Sequence, residues 1–376
     1  MTAAGTDAAL IEHVECARNR TLDWLSALQA PGRPAGVLRV SAVHDPERWP
    51  GVLLPGTYDS VMTRTLIGGA LPPTAADTLA DWLESFRLAD GRFRIPGMAD
   101  DAVFKKPDRE ETWRYVDFHV TNYALGAMAA LAPGRAPELG FVRPFLDPSH
   151  LGWWLSHRDL RDPWQEGNNV VNLGGFLFDL QRFGDGPTGW AAAEALRHVF
   201  DWHDRLQEPT SGFWGVGQHG DPERLLHAFA GSMHNYHLFY AAGRPIPHHA
   251  RAVDYVLSLP PEPQSACLDV DAADLLVHAA MLVDHRRDDG EAWLRTLLPG
   301  LLDLQNGDGG FYDVERGIRR LDGWVDGYSE PQGLSNTFAT FFRWIAIALI
   351  ADRLWPGRWP WRFRRGVGIG YRMPCA

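Results

Sequence analysis

A chain of 376 residues is long enough for two average domains or one closed architecture, and 45% hydrophobic against 22% charged residues supplies a large core. That balance excludes a long disordered tract, and a net charge of −11, with no Lys/Arg cluster interleaved with aromatics, argues against a nucleic-acid partner. The sequence has no run of about 18 apolar residues to cross a membrane, its first residues lack a basic-then-apolar leader pattern, and Cys16, Cys267 and Cys375 are too scattered for a disulfide framework or a paired metal spacing, so a cytoplasmic protein is expected.

In chain order, a weak unit recurs six times: a helix, a turn often carrying Gly beside an aromatic, and a second helix that opens polar and continues small and apolar. The first unit pairs 14–28 with the helix after Gly56-Thr57-Tyr58-Asp59 and includes the one strand-like alternation, 36–43. The second pairs 75–86 and the loop Asp90-Gly91-Arg92-Phe93 with 117–131, and the third pairs 151–157 with 166–180. The fourth joins 190–206, the turn Ser211-Gly212-Phe213-Trp214-Gly215 and 225–241; the fifth pairs 247–259 with 269–283. The sixth runs from Glu291 through Gln305-Asn306-Gly307-Asp308-Gly309-Gly310-Phe311 to a helix from about Ser335 to Leu354.

Stretches such as 275–283 and 338–349 are apolar almost all round, which suits an inner layer of helices covered by amphipathic outer ones. Six such pairs predict an all-α fold, an (α/α)6 toroid in one domain over 1–376, with the polar starts of the inner helices converging at one mouth. An open solenoid is the rival topology. Residues 355–376 form a basic and aromatic tail (Arg358, Trp359, Trp361, Arg365) expected to pack on the body, with contact to a membrane surface as its other reading.

Gln305–Phe311 resembles the Gln-x-x-Asp-Gly-Gly-Trp/Phe turn of the prenyltransferase and squalene-cyclase repeat family, with looser copies at Asp90–Phe93 and Ser211–Trp214. Leu268-Asp269-Val270-Asp271-Ala272-Ala273-Asp274 is similar to the Asp-x-Asp-Asp acid motif of class II terpene cyclases, which likewise opens an inner helix one hairpin before such a turn. Ala272 stands where that family carries its last Asp, and Asp274 lies two positions further on. The resemblance implies proton-initiated cyclisation of an isoprenoid in an aromatic pocket, with Asp271 as proton donor, Asp269 as its hydrogen-bonding partner and Asp274 as a further acid. No cofactor is implied, beyond a divalent metal if the substrate is a diphosphate.

Read from the residues alone, Asp269 also fits the cap of a helix beginning at Val270, with Asp271 and Asp274 at its positive end. The other inner starts are rich in hydrogen-bonding side chains: Tyr58 and Asp59; Asp117, His119 and Asn122; Asn168, Asn169 and Asn172; His234, Asn235 and His237; Gln332, Ser335 and Asn336. Such a mouth is polar for a hydrocarbon. It suits a carbohydrate-active enzyme that binds hydroxyls through Asn and His and stacks sugar faces on Trp, Trp214 among them, with His234 or His119 as base and Asp271 or Asp117 as acid. A non-catalytic toroid holding a glycan or lipid-linked partner is the third reading. Cys267 with Asp269 and a distant His resembles the zinc site of protein prenyltransferases in residue types but not in order, so no metal site is expected, and the partner expected is a small isoprenoid or a sugar.

Overall fold

The computed structural model describes residues 3–69, 71, 73–98, 114–215, 217, 220–313, 325 and 328–374. Twelve α-helices are found among them: α1 Ala3–Ala27, α2 Leu53–Leu66, α3 Pro73–Glu84, α4 Arg114–Leu131, α5 Pro148–Ser156, α6 Pro163–Phe183, α7 Gly186–Leu206, α8 Pro222–Ala242, α9 His249–Ser258, α10 Ala266–Leu282, α11 Arg287–Asp303 and α12 Thr337–Leu354. Around the molecule, α2 packs on α4, α4 on α6, α6 on α8, α8 on α10, α10 on α12, and α12 returns to α2. The even-numbered helices therefore close into an inner ring, and the solenoid alternative is set aside. Outside it, α3 covers α4, α7 covers α6, α9 covers α10 and α11 covers α12, while α1 meets α11 across the chain's two halves.

The pairing follows from hydrophobic pattern. Along α10 and α12 nearly every side chain is buried, including Leu275, Leu276, Ile345 and Leu349, because each helix has neighbours on all sides. Outer helices such as α7 and α9 bury one stripe only, as in Ala192, Ala195, Leu196 and Val199. Several helix starts are fixed by side-chain caps: Asp185 accepts from Thr188 N, Asp221 from Glu223 N, Ser265 from Leu268 N and Asn336 from Ala339 N. The cap of α10 is thus Ser265, and Asp269 sits within the first turn rather than ahead of it.

Four of the turns hand their backbone to the next inner helix in one way. The N–H of Leu38 donates to Thr57 Oγ1 at 3.1 Å, Phe93 to Thr121 Oγ1 at 3.0 Å, Trp214 to Ser232 Oγ at 2.8 Å and Phe311 to Thr340 Oγ1 at 3.0 Å. A buried hydroxyl on the inner helix therefore satisfies the one amide that the reversal exposes. In the sixth turn Gly309 has φ 101° and lies so near α1 that a Cβ would stand 2.4 Å from Arg20 O, which is why glycine occupies it. Gln305 Nε2 donates to Ala17 O at 2.8 Å and Gly309 O at 2.9 Å, tying the last turn to the first helix and closing the outer layer. The alternation at 36–43 makes only isolated bridges, Gln29 with Leu38 and Ser41 with Asn336, and no strand among the described residues.

Candidate functional site

The inner helices bring three kinds of side chain to the interior. One wall is aromatic. Tyr123 of α4 lies 6.2 Å from Phe341 and 6.3 Å from Phe342 of α12, ring centre to ring centre, although α2 separates those helices in the ring. Such contacts are made across the lumen. Tyr58 stands 5.7 Å from Tyr123, and His119 stacks on Tyr123 at 4.3 Å. The second wall is made of amides. Asn122 Nδ2 donates to Asn172 Oδ1 at 2.5 Å, Asn168 donates to Trp164 O at 3.0 Å, and Asn169 donates to Glu166 Oε2 at 3.2 Å. Asn168 and Asn169 lie in the second turn of α6 and are neither caps nor turn residues.

Opposite them, α8 and α10 carry the titratable groups. Asp274 is fully buried between two imidazoles, accepting from His237 Nε2 at 3.1 Å and from His278 Nδ1 at 3.0 Å. Burial would raise its carboxyl, but His278 and His237 outweigh that and hold it below the usual carboxylate range. Asp271, one turn earlier and 1% exposed, is pushed the other way, first by burial and then by the negative charge of Asp274 and Asp269. Its Oδ2 has no hydrogen-bond partner. Two carboxyls three residues apart are thus pushed in opposite directions, Asp271 toward the neutral acid and Asp274 toward the carboxylate.

Asp269 does not serve Asp271. Its Oδ1 accepts from Gln264 N at 2.9 Å and its Oδ2 from the buried Arg343 of α12, which also donates to Asp313 O at 2.5 Å. The expected partnership of Asp269 with Asp271 is therefore replaced by an ion pair joining α10 to α12. His234 is 8% exposed, and burial, with His237 nearby, lowers its imidazole to about 3, so it is a neutral hydrogen-bonding group. Asp117 is paired with Arg92 at 2.7 Å, which occupies it structurally.

Two residues expected to touch a substrate are elsewhere. Trp214 is buried outside the ring lumen, its Nε1 donating to His203 O at 2.8 Å and its ring stacked 5.8 Å from Phe239. Asn235 donates to Gly231 O at 3.2 Å, on the side of α8 turned to His203 of α7. Asn336 caps α12, while Tyr58, His119, Asn122, Asn168, Asn169, His234 and His237 stand on the inner helices. Sequence reasoning missed His278, Arg343 and Tyr240, whose ring stacks on His278 at 4.3 Å. His278 follows Asp274 by one helical turn, and Arg343 is the lone charge in the apolar stretch 337–351; both signals were readable. Cys375 lies outside the described residues, and among those described no cluster of three His, Cys, Asp or Glu could hold a metal ion.

No protein-family model and no curated protein matches this chain. Among solved structures it is similar to a polysaccharide lyase, with a TM-score of 0.50 at 12% identity, covering 93% of this chain and 99% of that one. At that identity the likeness carries the architecture, an all-helical toroid.

Proposed function

We propose that this chain is a carbohydrate-active enzyme that cleaves a glycan within the ring by acid–base chemistry. The observation that carries this reading is the polar interior. Asp271 Oδ2, Asn169 Oδ1, Asn172 Nδ2 and His237 Nδ1 are all buried without a hydrogen-bond partner. Each such atom costs about 1–3 kcal/mol while unsatisfied, and a hydrocarbon offers it nothing. Sugar hydroxyls accept and donate, and the rings of Tyr123 and Phe342 give a sugar face something to lie on. The solved structure sharing this architecture is named as a polysaccharide lyase, which supports the same substrate class.

In this reading His237, held by Asp274, takes a proton from the sugar and Asp271 gives one to the departing glycosidic oxygen. His234, Asn168 and Asn172 bind hydroxyls. The cyclase reading keeps one favourable observation, the buried Asp271 carboxyl whose pKa is raised by burial, and the same experiment separates the two. The protein is incubated with neutral and acidic polysaccharides and with prenyl diphosphates, and products are followed by chain length, ultraviolet absorbance of unsaturated ends and mass. The expected result is shortening of at least one glycan, slowed roughly 100-fold or more in Asp274→Asn and in His237→Gln. Cyclisation of a prenyl substrate that depends on Asp271, with every glycan left intact, would refute the proposal.

A further inference from the structure

The C-terminal segment enters the ring from the end opposite the polar helix starts. Arg362 N donates to Leu66 O of α2 at 3.1 Å, Arg364 lies against Gly126 of α4, Val367 against Gly175 of α6 and Gly370 against Ile345 of α12, and Met373 meets His278 of α10. One short stretch thus touches five of the six inner helices, which places it inside the ring as a plug.

Two hydrogen-bond chains begin on this plug, and each begins with a group that can only donate. Arg364 Nη2 donates to Asn122 O at 2.9 Å and to Asn122 Oδ1. A guanidinium accepts nothing, so the amide oxygen of Asn122 faces Arg364 and its Nδ2 faces Asn172, donating to Oδ1 at 2.5 Å. That turns the nitrogen of Asn172 onward, where it is buried with no partner. In the second chain Met373 N donates to His278 Nε2 at 3.1 Å. A backbone amide also only donates, so Nε2 keeps its lone pair and Nδ1 carries the proton, given to Asp274 Oδ1 at 3.0 Å. The other oxygen of Asp274 accepts from His237 Nε2 at 3.1 Å, which leaves His237 Nδ1 as the lone-pair nitrogen, buried and unpartnered.

We infer that the C-terminal segment sets the proton polarity of the site: Arg364 makes Asn172 a donor, and Met373 fixes His278 as the Nδ1–H donor that holds Asp274 in place as the carboxylate, to which His237 gives its Nε2 proton and so turns Nδ1 as an acceptor toward the hydroxyl groups of the substrate. A hydroxyl accepts from the first and donates to the second, so the two chain ends together ask for a polyhydroxylated ligand. Arg364 and Met373 are positioning residues, acting through Asn122 and through His278 and Asp274. The ligand class rests on the glycan reading; the tautomers do not.

The test uses full-length protein with ring-15N-labelled histidine, whose imidazole shifts report which nitrogen is protonated. In the parent, His278 is expected with its proton on Nδ1 and His237 with its proton on Nε2. Met373→Pro deletes the donated N–H while also replacing the side chain and fixing φ, and is expected to give His278 a mixture of tautomers. It is also expected to lower kcat on the cleaved glycan roughly 10- to 100-fold, the range for losing a group that orients an acid–base residue, with KM little changed. Met373→Leu keeps the N–H and is expected to behave as the parent. Should Met373→Pro fail to fold, the chain ended at Arg372 removes the same donor. A parent His278 protonated on Nε2, or a tautomer unmoved when the donor is removed, overturns the inference. A parent with the expected tautomers that cleaves no glycan overturns the functional reading alone.

Discussion

Asp271 and Asp274 show how neighbours on one helix acquire opposite roles. Burial raises the Asp271 carboxyl in the folded protein, so its contribution to stability is present at low pH and is lost as pH rises from the value of an unfolded carboxylate through the raised one. Asp271→Asn removes that penalty and is expected to raise the melting temperature at neutral pH while reducing turnover about 100-fold or more; a variant that is less stable and fully active contradicts the assignment. The buried histidines have the other sign. Burial lowers His203 to about 4 and both His234 and His249 to about 3, from 6.5, so the unfolded chain takes up protons first on acidification. Calorimetry should show stability falling as pH drops from about 6.5 to about 3, and His249→Phe, which removes two unpartnered buried nitrogens, should flatten that fall. The paired acids were legible because they interrupt an otherwise apolar helix. Trp214 was misjudged because an aromatic at a turn carries no mark of which side of the ring it faces, and only tertiary burial decides that.

At the scale of elements, the helices and their order were readable from apolar periodicity and glycine turns, since those patterns are local, but which outer helix lies on which inner one was not: α7, expected with α8, packs on α6, and α5, expected with α6, packs on α7. Helix starts moved by a few residues, as at α10, where Ser265 rather than Asp269 holds the cap. The contact between α6 and α8 was not readable, because it depends on two glycines more than 60 residues apart. A Cβ on Gly231 would stand 2.0 Å from Pro163 O, and one on Gly167 would stand 2.2 Å from Gly231 O. Backbone meets backbone there, and no rotamer relieves the clash. Gly231→Ala is accordingly expected to destabilise the protein by about 2 kcal/mol or more, measured by denaturant unfolding; a neutral effect would mean that the two helices part without cost.

For the whole molecule, closure and function are linked. Thr21 of α1 receives a hydrogen bond from Trp344 Nε1 of α12 at 2.9 Å, and Trp359 Nε1 donates to Glu15 at 2.9 Å, so the two ends of the chain are fastened to each other. A closed ring should unfold in one cooperative step, unlike a solenoid that frays from its ends. Nothing in composition announced that the tail enters the ring, since Arg364 and Met373 gain meaning only beside Asn122 and His278. The same closure confines Tyr123, Asn172, His237 and Asp271 to one interior, which is the premise of glycan cleavage. An oligosaccharide soaked into crystals of Asp274→Asn tests that premise most directly. Sugar hydroxyls about 3 Å from Asn172 Nδ2 and His237 Nδ1, with a ring face on Tyr123 or Phe342, are the predicted result. Sugar bound only outside the inner helices, or an apolar chain filling the lumen instead, would contradict it.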